Sequence, residues 1–239
     1  MTTTQSDHAS AATTAAIPTT TGPNATPDSA MPAANLAAAR AQAKRAARHQ
    51  ALQRRATLSA QAFADARASL ARQAEPLVSP LVRGTTVAAY VSMGTEPPID
   101  GVLERLLSQG MRVLVPRLGS SKELACAWSE LDALERLRDM PRSASGGLRP
   151  REPSGPALAS DSLGQAELIL VPAFAIDSHG LRLGRGAGWY DRALLHASPQ
   201  ATIIGVCWPW EANVHDLPRD PHDVPVGGIL TPESLTIFD

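Results

Sequence analysis

Cysteine is scarce in this 239-residue chain, which has only Cys126 and Cys207. They stand far apart, with no C-x-x-C and no histidine pair beside them, which argues against a disulfide framework or a zinc site. An excess of either charge is also missing. Lys and Arg number 22 against 23 Asp and Glu, a formal net charge of -1, so no overall field advertises nucleic acid or a membrane surface. No apolar run approaches the roughly 20 residues that a bilayer-spanning helix needs. The six histidines, His179 and His222 among them, lack metal-like spacing and read as structural or surface groups. There is no internal repeat. Residues 1–35 contain no Lys or Arg, so they show neither the positive start of a secretory signal nor the Arg-rich face of a transit peptide. Their Ala, Thr and Pro offer too little large apolar surface to offset the entropy of ordering a backbone, which predicts a disordered tail. A soluble protein of a reducing cytoplasm is the expectation.

From Leu36 the composition changes to "LAAARAQAKRAARHQALQRRA", dense in strong helix formers. Ser59 is placed to cap a second helix whose Phe63, Ala66, Leu70, Ala74 and Leu77 recur at helical spacing, with Pro76 and Pro80 marking its end. "TTVAAYVSM" reads as a buried strand, "IDGVLERLLSQG" as an amphipathic helix closed by Gly110, and "MRVLVP" as a second strand. The order then repeats, with "AELILVPAF" as strand, "WYDRALLHA" as helix and "ATIIGVCW" as strand. Strand–helix–strand units predict a parallel sheet with helical crossovers. The expected fold is α/β, doubly wound, mostly parallel with helices on both faces, as one domain over residues 36–239. The Gly-, Pro- and Ser-rich "RSASGGLRPREPSGPALASDSLG" reads as a long surface loop.

The stretch "RLGRGAGWYDRALL" sets Gly184, Gly186 and Gly188 in alternation, with Arg185 threaded between them, before a helix. A bare backbone here lets phosphate oxygens approach the amides at a helix N-terminus, and Arg185 adds a permanently charged fork suited to a phosphoryl group in transfer. Two familiar phosphate motifs are excluded. A P-loop demands Gly-Lys-Ser/Thr where Gly188 precedes Trp189, and a G-x-G-x-x-G fingerprint needs glycine at position 189. An ordinary glycine-rich turn remains an even alternative for the glycines alone, but Asp191 shifts the balance, because a carboxylate beside bound phosphates suits Mg²⁺.

Between Leu36 and Glu75, eight basic residues (Arg40, Lys44, Arg45, Arg48, Arg54, Arg55, Arg67 and Arg72) face two acids, Asp65 and Glu75. Arg40, Lys44 and Arg48 line one helical stripe, where like charges repel. A solvated face is the ordinary reading of such a stripe, nucleotide phosphates the second and RNA the third, since interleaved aromatics are missing.

Together these residues resemble the 5-formyltetrahydrofolate cyclo-ligase family. "ELILVPAFAIDSHGLRLGRGAGWYD" is similar to its central signature, and the likeness extends to "AKRAAR", "YVSMGTEPPID", "GLRPREP" and "LPRDPHDVPVGGILT", in the family's order from about Leu36 to Pro232. The resemblance implies use of ATP and Mg²⁺ to convert 5-formyltetrahydrofolate into 5,10-methenyltetrahydrofolate, with no protein nucleophile. It implies ATP contacts from Lys44, Arg48 and the run Arg182, Leu183, Gly184, Arg185, Gly186, Ala187, Gly188, Trp189 and Tyr190, with Arg185 also catalytic. Asp191 and Asp223 fall where members bind Mg²⁺. Val91 and Glu96 fall where members contact the pterin, beside Arg185 and Trp189. The chain departs from the pattern at Ala173, Ala187, the Trp189-Tyr190 pair and Gly227, where glycine replaces a common acid. A monomeric enzyme without nucleic-acid or membrane partners is expected. The alternatives are a non-catalytic nucleotide and folate binder or, behind it, an RNA-binding protein. Trp208 and Trp210 are candidates for a pocket wall, though core or lid is their commoner role.

Overall fold

The computed structural model describes residues 33–118, 126–143, 146–220 and 222–238. The expected disordered tail lies outside the described residues up to position 32. Its last three residues belong to helix α1, Ala33–Arg55, because Ala33 and Ala34 extend an alanine-rich segment with nothing to stop it. Helix α2, Ala60–Gln73, begins where expected, with the Ser59 hydroxyl accepting from the Ala62 amide. A short helix α3, Glu75–Val78, follows with Pro76 in its first turn.

Seven strands form one sheet, in the order β3-β2-β1-β4-β7-β8-β9. Strands β1 (Thr86–Ala88), β2 (Arg112–Arg117), β4 (Ala166–Pro172), β7 (Thr202–Val206) and β8 (Gly228–Leu230) are mutually parallel. The edges β3 (Ala127–Leu131) and β9 (Leu235–Ile237) run antiparallel to their neighbours. Helix α4, Asp100–Ser108, crosses from β1 to β2.

Alternation along the strands divides the core between two faces. Val87, Val113, Leu168, Leu170 and Val206 pack with Leu70, Leu103 and Leu106 of α2 and α4. Ala88, Leu114, Ile169, Val171 and Ile229 face the other way, against Leu163, Ala193 and Leu194. Ala193 and Leu194 belong to α5, Trp189–Leu194. Helical segments thus cover both faces, as the sequence predicts.

Five features differ from what the sequence suggests. The run from Thr85 to Met93 is strand only over Thr86–Ala88, because after β1 the chain leaves the sheet to line a cavity. The last helix ends at Leu194, short of the expected Ala197. Strand β3 was not anticipated, since its burial does not alternate. The Gly/Pro-rich loop is pinned at intervals: Arg138 bridges Glu152, Trp128 bridges Leu158, and Leu163 is fully buried. A two-stranded hairpin, β5 (Ala175–Ile176) and β6 (Arg182–Leu183), also escaped the sequence reading. Ile176 packs so closely on β7 that a Cβ at Gly205 would stand 2.4 Å from its Cδ1.

Candidate active site

The chain leaves β1 to one side of the sheet for β2 and returns on the other for β4, so β1 and β4 flank a topological switch point. Crevices at the carboxyl ends of strands at such a point are where open α/β sheets hold ligands. A cavity of about 420 Å³ opens there, bordered by Tyr90 and Val91 after β1 and by Pro172, Ala173 and Phe174 at the end of β4.

The glycine loop enters this cavity because the β5–β6 hairpin aims it there. Asp177, 2% exposed, accepts from the amides of His179 and Leu181 at 2.9 Å each and of Leu217 at 3.0 Å, which fixes the hairpin turn. Gly186 has φ +98° and Gly188 φ +63°, conformations that L side chains rarely adopt. Helix α5, which follows, has six residues, so its dipole is small and the loop's own amides and arginines carry the site's positive character.

Helix α1 lies against the hairpin through Ala47 and Ala51, which pack with Phe174, Ala175 and Leu183. That contact turns the basic stripe inward. Arg48 Nε donates to the Gly184 carbonyl at 2.7 Å, and a Cβ on Gly186 would stand 3.1 Å from the Arg48 guanidinium carbon. Burial, with neighbouring Arg45, pulls the Arg48 pKa down. Lys44 Nζ reaches Asp220 at 2.7 Å and Asp223 at 3.1 Å. Partial burial depresses its amine, but the hydrogen bonds and charges of the two aspartates outweigh that and carry its pKa above the usual value.

Arg182 is buried and donates to Asp191 Oδ1 at 2.6 Å and to the Val224 carbonyl. Burial lowers its pKa, against the raising charges of Asp191 and Asp223. It thereby ties together the segments bearing the two expected metal ligands, and its fork is already engaged. Asp223 also accepts from the Asp220 amide at 2.8 Å. Among the described residues, no group of three His, Cys, Asp or Glu side chains could hold a metal ion.

Arg185, 36% exposed at its side chain, donates from Nε to Glu96 Oε1 at 2.8 Å. Glu96 is 5% exposed and its other oxygen accepts from the Met93 amide at 3.0 Å. The resemblance sets both side chains among the pterin contacts, and the structure pairs them directly. The Glu96 loop is held by Tyr90 Oη on the Pro97 carbonyl at 2.7 Å and by Trp208 Nε1 on the Thr95 carbonyl at 3.0 Å. Trp208 is therefore a core residue that locks this loop, stacked on Trp210 at 5.4 Å, and neither indole borders the cavity. Trp189 and Tyr190 do border it, their rings 4.8 Å apart edge to face. Leu118, Leu148 and Pro150 give the cavity an apolar wall.

Every position expected to contact nucleotide, metal or pterin lines this one cavity. Of the departures, Ala173 and Ala187 border it, whereas Gly227 lies outside it, its amide on the Ile203 carbonyl at 2.7 Å. Sequence reasoning missed Asp220, which partners Lys44, and missed Arg55 as a lining residue. Asp220 carried no spacing signal, and Arg55 was one basic residue among eight.

A doubly wound sheet with a cavity at its switch point, lined by both cationic and apolar side chains, places the chain among α/β proteins that hold small molecules. More particularly, the chain belongs to the 5-formyltetrahydrofolate cyclo-ligase family, whose sequence profile matches residues 40–232. It is 40% identical over 155 residues to a 5-formyltetrahydrofolate cyclo-ligase of Mycolicibacterium smegmatis, covering 64% of this chain and 76% of that protein. With the Escherichia coli cyclo-ligase the identity is 28% over 157 residues, 65% of this chain and 82% of that one. The solved 5,10-methenyltetrahydrofolate synthetase of Aquifex aeolicus superposes with a TM-score of 0.62 at 23% identity, over 81% of this chain and 92% of its own. The Mycoplasma pneumoniae synthetase does so at 0.58 and 22%, over 78% and 97%. No described helix is long and apolar enough to cross a membrane.

Proposed function

We propose that this chain catalyses the ATP-dependent closure of 5-formyltetrahydrofolate to 5,10-methenyltetrahydrofolate, releasing ADP and phosphate. The observation that carries the reading is the Arg185–Glu96 contact, which joins the glycine loop to a buried carboxylate in one cavity. Lys44 and Arg48 hold the nucleotide phosphates beside the exposed amides of Gly184 to Gly188. Glu96 accepts from the pterin's amino and ring N–H groups, which are donors, while Val91 and the apolar wall take the ring faces. The formyl oxygen attacks the γ-phosphorus and ADP departs. N10 then bonds to the formyl carbon, and the former formyl oxygen leaves with the phosphate, which takes the N10 proton. The nucleophile belongs to the substrate, so the chain supplies positioning and charge stabilisation. Arg185 does both, with its guanidinium on the charge that spreads over the transferring group.

The donor set fits a magnesium ion that arrives with the nucleotide. Asp191 and Asp223 are hard oxygen donors on one cavity wall, each paired with a cation, and they are too few for an all-protein cage. They would hold Mg²⁺, which supplies neutralisation of phosphate charge when bound.

The test follows the near-ultraviolet absorbance of the methenyl product in a mixture of protein, ATP, Mg²⁺ and 5-formyltetrahydrofolate. Product formation that requires ATP is expected. Tight binding of both ligands without turnover would replace this reading with a non-catalytic folate binder. Lys44 and Arg48 are already engaged inside the molecule, which disfavours the RNA alternative; RNA binding that falls steeply with salt would restore it.

A further inference from the structure

Arg55 and Glu211 form an ion pair in the core, 1% and 3% exposed at their side chains and 156 residues apart. The pairing is two-pronged, with Nε on Oε1 and Nη2 on Oε2, both at 2.7 Å. Burial pushes the Glu211 carboxyl up, opposed by the hydrogen bonds and charge of Arg55. Such a pair is weak evidence of a stabilising role. Removing two charges from water costs several kcal/mol per ion, and apolar replacements of similar shape are often neutral or better. Its contacts point instead to the reacting end of the cavity.

Two paths leave the pair and meet again. On one side, Arg55 Nη2 donates to the Ala173 carbonyl at 2.6 Å, and its guanidinium lies 4.3 Å over the Phe174 ring. The guanidinium of Arg185 lies over that same ring at 5.6 Å, within cation–π range. On the other side, Glu211 Oε2 accepts from the Trp208 amide at 3.0 Å, and the Trp208 indole holds the Thr95 carbonyl next to Glu96. The two paths close at the Arg185–Glu96 contact.

We infer that Arg55 and Glu211 are positioning residues. They set where Arg185 and Glu96 stand relative to each other, Arg55 acting through Phe174 and Glu211 through Trp208 and Thr95. Neither contributes to the chemistry directly. A planar fork is needed at position 55 because one guanidinium must grip a carboxylate, a carbonyl and a ring face at once, which an ammonium cannot do. This inference rests on the cyclo-ligase reading of the site.

The test is a double-mutant cycle built on the paired variant R55M/E211Q, which removes both charges and leaves the Trp208 amide an acceptor. In the otherwise wild-type chain we expect kcat to fall about tenfold, with the melting temperature within a few degrees and affinity for an ATP analogue within about threefold. In an Arg185→Ala background the same pair should change kcat less than about threefold, because the group being positioned is gone. An undiminished fall in that background, an unchanged kcat, or a loss confined to ATP affinity would each overturn the inference; the last would make the pair merely a dock for α1. Should R55M/E211Q fail to fold, Arg55→Lys, which keeps the buried charge, decides the same cycle with an expected loss of about three- to tenfold. A wild-type protein that forms no methenyl product removes the functional reading and this inference together, whereas turnover with additive effects removes this inference alone.

Discussion

Replacing Asp220 with Asn is expected to tighten ATP binding, although it removes an acidic group from the site proposed for magnesium. The Asp220 carboxylate holds the Lys44 ammonium at 2.7 Å, and its side chain is 50% exposed. In the free protein it therefore competes with incoming phosphates for the cation that should receive them. An exposed pair of this kind is worth about 0.2–1 kcal/mol, so freeing Lys44 should tighten the nucleotide by about 1.4- to 5-fold. Asp223 shares the same lysine but is 16% exposed and is a proposed metal donor, so Asp223→Asn should weaken Mg²⁺-nucleotide by about tenfold or more. The two neighbouring substitutions thus carry opposite signs. Calorimetric titration with a non-hydrolysable ATP analogue, with and without Mg²⁺ at fixed ionic strength, reads both. Lys44 lowers the Asp220 carboxyl below its ordinary value, so the pair's contribution is complete above the ordinary carboxylate pKa and is lost as pH falls through the lowered one. The Lys44 amine is raised, so its share is lost only as pH rises through that raised value. The Asn/Asp affinity ratio at position 220 should accordingly stay constant from about pH 6 to about pH 9. A tenfold loss of affinity in Asp220→Asn, or the same sign for both variants, would refute the reasoning and make Asp220 a ligand.

Gly186→Ala places a side chain at φ +98° and a Cβ 3.1 Å from the Arg48 guanidinium carbon. Strain of about 1–3 kcal/mol should lower the melting temperature by about 2–10 °C, and displacement of Arg48 should raise KM for ATP several-fold; an unchanged KM would separate Arg48 from the nucleotide. The chain has two tyrosines, Tyr90 and Tyr190, and burial, with the Glu96 charge, raises both well above the usual pKa. In alkaline titration of the native protein, tyrosinate absorbance should appear only above the pH at which free tyrosine ionises, about 10, and ionisation of both rings at that pH would refute the shift. Cys126 and Cys207 are buried thiols that burial pushes up in pKa, so a thiol reagent at about pH 8 should label neither until denaturant is added.

Much of this arrangement was legible locally. The apolar runs at Arg112–Arg117, Ala166–Pro172 and Thr202–Val206 are strands and Ser59 caps a helix, whereas the stripe bearing Lys44 and Arg48, whose ordinary reading is a solvated face, meets the glycine loop instead. The resemblance then brought Glu96 and Asp223 to the same site, which their local sequence does not suggest. What stayed hidden shares one physical cause, dependence on partners far along the chain. Strand β3 is buried by the segment that crosses it, so Ala127, Trp128 and Ser129 are all covered and no period-two signal survives. The hairpin strands are two residues each, and Asp177 rather than any pattern holds their turn. Arg55 reads as one more solvated arginine until Glu211 is folded beside it.

Helix α1 supplies cations early in synthesis, while their partners Gly184, Asp220 and Asp223 lie 136, 176 and 179 positions downstream. A nascent chain halted before the last quarter can pair β1 with β2 yet has nothing for Lys44 and Arg48 to grip. Docking of this first helix is then a late event in maturation, governed by the slow search that distant contacts impose.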